Sequence, residues 1–148
     1  MRKIGQKNQF TTARSSFQLL VFSVGGRRLA VRTFDVSGIS PWNGSISVAS
    51  RTPFVTAVIR HEKTVLPVFD LAASLQRAVQ GRSPLCLRVK HPLGEMAMCI
   101  DEEIPVLQAL DRAAIQTYRG NDLPVEGCYT NGLDEVPILS VSRLGATM

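Results

Sequence analysis

Cysteine, histidine and clustered acid are scarce in this chain, and each shortage closes off a class of chemistry. The three cysteines, Cys86, Cys99 and Cys128, stand far apart among apolar neighbours. No CxxC occurs, so neither a zinc site nor a thioredoxin-like redox pair has its ligand spacing. Buried free thiols in a reducing compartment fit that pattern. The two histidines, His61 and His91, fall in predicted turns. A catalytic imidazole needs a partner to orient it, so both are expected to be solvated turn residues. P-loop, GxGxxG, HExxH and GxSxG motifs are absent. The one acidic cluster is Asp101-Glu102-Glu103. Asp101 and Glu103 can share a strand face, which would suit a small carboxylate-dependent hydrolase. A solvated strand end is the simpler expectation. The chain reads as a non-enzyme that needs no metal or cofactor.

Long apolar runs are missing too. None reaches the roughly 18–20 residues of a membrane span. Gly25-Gly26-Arg27-Arg28 follows the apolar Phe17 to Val24, where a secretory segment would need a small-residue cleavage site. A cytoplasmic protein without direct membrane insertion is expected. The formal charge of +5 suggests nucleic acid until it is located. Residues 1–16 hold Arg2, Lys3, Lys7 and Arg14 and no acid. Of 17 basic residues that leaves 13, against 12 acidic ones, so the body is nearly neutral. A neutral body argues against a groove that tracks phosphates. Residues 1–16 read as a flexible basic tail. Trp42 and Phe54 are expected as core or subdomain anchors, not as a base-stacking platform.

What the chain does contain is a pattern stated twice. Ala57-Val58-Ile59, a polar turn, then Val65-Leu66-Pro67-Val68-Phe69 and Asp70-Leu71 is answered by Gly127-Cys128-Tyr129, a polar turn, then Val136-Pro137-Ile138-Leu139 and Ser140-Val141. The small residues (127 − 57) and the prolines (137 − 67) are both 70 apart. Upstream, Phe17 to Val24, Gly25-Gly26 and Leu29 to Val31 resemble Leu85 to Val89, Pro92-Leu93-Gly94 and Met98 to Ile100. That period exceeds the 20–50 residues of solenoid repeats. Two small β subdomains sharing one core are expected, with halves near 17–83 and 84–148 that can exchange strands.

Local signals fill in the elements. Gly25-Gly26 marks a tight hairpin because both positions tolerate positive φ. Thr33 to Val36 suits a helical turn and Gly38 to Trp42 a strand, with 46–52 as loop. Phe54 to Ile59 and Thr64 to Phe69 form a hairpin across Arg60-His61-Glu62-Lys63. Asp70 is placed to cap a helix over Leu71 to Ala78, ended by Gly81. Leu85 to Val89 and Met96 to Ile100 form the next hairpin, and Ile104 to Leu107 a further strand. Asp111 to Gln116 suits helical turns, and Val125 to Tyr129 with Glu135 to Leu139 the last hairpin, turning at Asn131-Gly132. Pro67 and Pro137 lie inside strand patterns and belong at an edge, bulge or barrel corner.

These features, in this order, resemble the CheW-like family of chemotaxis coupling proteins. The likeness runs from Phe17 to Leu144 and is clearest from Pro53 to Leu71, with its apolar-Pro-apolar-apolar-Asp-Leu close. Ala97-Met98-Cys99-Ile100-Asp101 and Gly127 with Ile138-Leu139 match the second half. The resemblance implies a mainly β fold: two five-stranded SH3-like barrels around a shared core, with short helices. It implies a scaffold that couples the cytoplasmic tips of methyl-accepting chemoreceptors to the regulatory domain of a CheA-type histidine kinase, recruited to membrane-associated receptor arrays. Its receptor-side surface would involve Val36, Gly38, Ala57, Arg60 and Glu62. The chain departs from the family there. Ala57, Arg60, Glu62 and Lys63 replace its usual Gly, Asn, Arg and Gly, Gly38 replaces an acid, and Ser140 an acid or amide. A divergent member serving pili or development is the implied reading. A nucleic-acid binder built from the same barrels and the basic tail is the alternative.

Overall fold

The structure, a computed structural model, describes residues 16–145; the remainder of the basic tail lies outside them. Among the described residues eleven strands form: β1 (Ser16–Val24), β2 (Arg27–Arg32), β3 (Val36–Pro41), β4 (Ile46–Ser47), β5 (Val55–His61), β6 (Thr64–Phe69), β7 (Leu85–His91), β8 (Gly94–Ile100), β9 (Val106–Asp111), β10 (Val125–Asn131) and β11 (Asp134–Leu139). One sheet runs β10-β11-β2-β1-β9, the other β3-β7-β8-β6-β5-β4. Each draws on both halves of the chain: the hairpin β1–β2 sits among strands of the second half, and β7–β8 among strands of the first.

The period of 70 is a period in register. In the first half Ala57 faces Val68, Val58 faces Pro67 and Ile59 faces Leu66, after a bulge between Val55 and Ala57. In the second, Gly127 faces Ile138, Cys128 faces Pro137 and Tyr129 faces Val136, after a bulge between Val125 and Gly127. Each sheet also closes at the same place. Ile46 pairs with Val58, and Gln116 pairs with Cys128. The chain leaving the edge strand thus returns onto the opposite edge, making a small barrel without open ends. Each proline stands one residue before the single parallel bridge of its strand, Pro67 before Val68 and Pro137 before Ile138, where few ladder bonds call for its missing N–H. β6 meets β8, and β11 meets β2, only through single parallel bridges, Val68 with Ala97 and Ile138 with Ala30.

Strand alternation divides the core in three. Leu20, Phe22 and Val24 of β1 join Leu87 and Val89 of β7, Met96, Met98 and Ile100 of β8, and Phe69 in a core shared by the two sheets. The alternate residues Leu19, Val21 and Ala30 line one barrel with Tyr129, Val136 and Ile138. Cys86 and Ala97 line the other with Ile59, Leu66 and Val68, and Trp42 packs on that cluster from one side. Phe54 differs from the expected anchor. It is 45% exposed in a left-handed conformation (φ +59°), touching Phe69 edge-on.

Three expected boundaries move. The helix after Asp70 is one turn, α1 (Leu71–Ser74), capped by Asp70 Oδ1 accepting from Ala73 N at 3.0 Å. It stops because Gln76 turns the backbone (φ +56°), which lets Arg77 donate to the Gly25 carbonyl at 2.8 Å. The strand expected at Ile104 starts at Val106, and the loop after Asn43 contains the closing strand β4. The turn at 112–114 is 3₁₀, with Asp111 accepting from Ala113 N at 2.9 Å.

Candidate partner-docking site

The hairpin β5–β6 carries the outward-facing part of the expected site. Arg60 lies in β5, directly opposite Val65, instead of in the turn. Glu62 opens the two-residue turn, in a left-handed conformation (φ +53°), with a solvent-exposed side chain. Ala57 is half-buried and packs on the barrel interior, and Gly38 is half-buried on β3 opposite Arg88. Val36 packs against the shared core. Of the five residues, then, Arg60 and Glu62 face solvent and the other three are half-buried.

An apolar groove of about 700 Å³ is lined by Val55, Val65, Pro67, Leu93, Met96 and Leu144 among others, and Arg60 stands across the hairpin from its Val65. It opens where β6 and β8 diverge from their single bridge. Val65 is 63% and Leu93 94% exposed, which marks apolar surface without a cover. The equivalent turn of the other hairpin is covered. Asp101, expected to be solvated, is 3% exposed and accepts from Gly25 N at 2.9 Å, Gly26 N at 2.9 Å and Gln80 N at 2.8 Å. A buried carboxylate needs such donors, and three backbone N–H groups satisfy it. The residue pair Asp101 and Glu103 therefore serves no joint chemistry: Asp101 ties down a turn, and Glu103 is exposed beside Arg28 at 3.8 Å.

Neither histidine is a free turn residue. His91 Nε2 lies 3.2 Å from the Leu144 carbonyl, and His61 Nε2 lies 2.8 Å from Arg88 Nη1. Arg88 is the residue the sequence reading missed. Its side chain is 15% exposed, with Glu95 at 3.8 Å and a buried Nε without a hydrogen-bond partner. The signal was an arginine interrupting the apolar run Leu85-Cys86-Leu87. Cys86 and Cys128 are buried as expected, whereas Cys99 is half-buried; burial raises all three thiols, Cys99 to about 11, well away from reactive thiolates. No helix among the described residues is long and apolar enough to cross a membrane.

Residues 18–146 match the CheW-like domain family. The crystal structure of the scaffolding protein TtCheW from Thermoanaerobacter tengcongensis is similar, with a TM-score of 0.71 and 19% identity over 88% of this chain and 93% of that one. At that identity the likeness speaks for the fold. No curated protein sequence matches.

Proposed function

Because this chain belongs to the CheW-like domain family, we propose that it is a non-catalytic adaptor coupling chemoreceptor tips to a CheA-type histidine kinase. The observation that carries the receptor side is the open groove between β6 and β8, with Arg60 directly across the hairpin from Val65 of its wall. An apolar groove of this kind suits the apolar face of a helix. Charges at a rim steer and select partners more than they set affinity. Arg60 and Glu62 present both signs there, so partner choice is assigned to them. Val36, Gly38 and Ala57 act from behind, by holding β3 and β5 in place. The kinase regulatory domain takes other strand edges. The protein works in the cytoplasm, drawn to membrane-associated receptor arrays.

Titration of the purified chain with a chemoreceptor-tip fragment and with a kinase regulatory domain tests this. Leu93→Glu should weaken receptor binding at least tenfold, about 1.4 kcal/mol, and leave kinase binding intact. Reversing both rim charges, Arg60→Glu with Glu62→Arg, should weaken the receptor contact selectively. A groove variant that binds the receptor like wild type, or a charge reversal that abolishes both contacts equally, would overturn the reading. Salt separates this reading from nucleic-acid binding: docking on apolar surface should change little with ionic strength, whereas phosphate binding would fall steeply.

A further inference from the structure

The two barrels can be superposed by their ladders, and one interior position is occupied by opposite chemistries. Ala30 faces Val21 and bridges Ile138; Ala97 faces Arg88 and bridges Val68. Arg88 therefore stands where the other barrel has Val21. Its guanidinium has room because β3 presents Gly38 beside it: a Cβ there would collide with Nη2. From this slot Nη1 reaches His61, the last residue of β5 and the neighbour of Glu62. A guanidinium only donates, so His61 Nε2 accepts with its lone pair, and the neutral ring carries its proton on Nδ1.

We propose that Arg88, admitted by Gly38, is the positioning residue that fixes the β5–β6 turn and so sets how Glu62 and Arg60 are presented to a partner. This rests on the adaptor reading for its partner, but not for its geometry. Arg88 touches β3 through Gly38, Glu95 of β8 at 3.8 Å and His61 of β5 at 2.8 Å, so it ties the turn to three strands. A cation with a partnerless buried Nε is a poor filler for a barrel that an aliphatic side chain would suit. Its position accounts for it better than packing does.

The test uses the full chain and two probes, a chemoreceptor-tip fragment and a kinase regulatory domain. Arg88→Met should weaken binding of the receptor tip about fivefold, with kinase binding unchanged as the control for folding. His61→Gln, whose amide oxygen still accepts from Arg88, should retain wild-type affinity. ¹⁵N NMR should find the neutral His61 ring protonated on Nδ1, and backbone order at Glu62 and Lys63 should fall in Arg88→Met. A ring protonated on Nε2, or an Arg88→Met protein with wild-type turn order and receptor affinity, overturns the proposal. A wild-type chain that binds neither probe overturns the adaptor reading instead, and the two NMR measurements then decide the role of Arg88.

Discussion

Leu19, Val21 and Ala30 line one barrel, and Cys86, Arg88 and Ala97 hold the corresponding places in the other. The hairpins β5–β6 and β10–β11 agree pair for pair at an offset of 70, down to the bulge and the proline. The barrel that holds Tyr129 is lined by apolar side chains and no charge, the tyrosine hydroxyl donating to Gln108 Oε1 at 3.1 Å. The barrel with Arg88 contains a cation, a histidine and a carboxylate, and a glycine in place of a side chain. The hairpin tips differ in the opposite sense. The Gly25-Gly26 turn is clamped by Asp101, while the turn at Pro92-Leu93 is bare. One register thus supports two roles: an inert barrel with a fastened tip, and a polar one whose neighbouring groove stays open.

The largest test is to move the polar device into the inert barrel. Val21 is buried with no glycine or histidine beside it, so Val21→Arg should cost at least about 4 kcal/mol, an uncompensated buried charge. Against a typical total of about 5–15 kcal/mol this should leave little folded protein, read by circular dichroism. A stable Val21→Arg protein would mean that the barrels are interchangeable.

Next come the hairpin tips. Asp101→Ala leaves three N–H groups without their acceptor, that of the buried Gly25 among them, and should cost roughly 1–3 kcal/mol in urea unfolding. Leu93→Ser should fall within about 0.5 kcal/mol of wild type, since nothing covers it. Equal losses would erase the contrast between fastened and bare turns.

A double-mutant cycle sharpens the Arg88 slot. Gly38→Ala should cost about 1–3 kcal/mol by overpacking against Arg88, and Arg88→Leu should be neutral to within about 1 kcal/mol. Combined with Arg88→Leu, the Gly38→Ala penalty should largely vanish, because the collision is with the guanidinium. Additive losses would show that the glycine serves the backbone of β3 instead.

The smallest effect belongs to the loop of the inert barrel. Arg27 donates to Asp122 and to Tyr118 at 2.7 Å each, and Tyr118 donates to Asp122 at 2.7 Å. Burial works against the Asp122 carboxylate, but its bonds to Arg27 and Tyr118 hold it below the ordinary 3.8. A depressed carboxylate gives stability that is present above its unfolded value and lost as pH falls through its folded one. A slight extra loss below about pH 4 is expected in wild type, and its absence in Asp122→Asn would check it by thermal melts.

The sequence alone determined the elements and their repetition. Alternation with period two marks strands, and residues such as Gly25-Gly26 and Asn131-Gly132 mark turns, because those signals are local and act within a few residues. The paired prolines and Asp70 were legible for the same reason, as was the burial of Phe69 at 3% exposure. Tertiary structure decided what local signals cannot carry. Which half each hairpin joins, whether Asp101 meets water or three amides, and whether Arg88 points out or into a barrel depend on partners about 20 to 80 residues away. A carboxylate at a strand end, or an arginine between leucine and valine, reads alike in either setting; only the neighbours brought by long-range pairing determine whether it is solvated or buried.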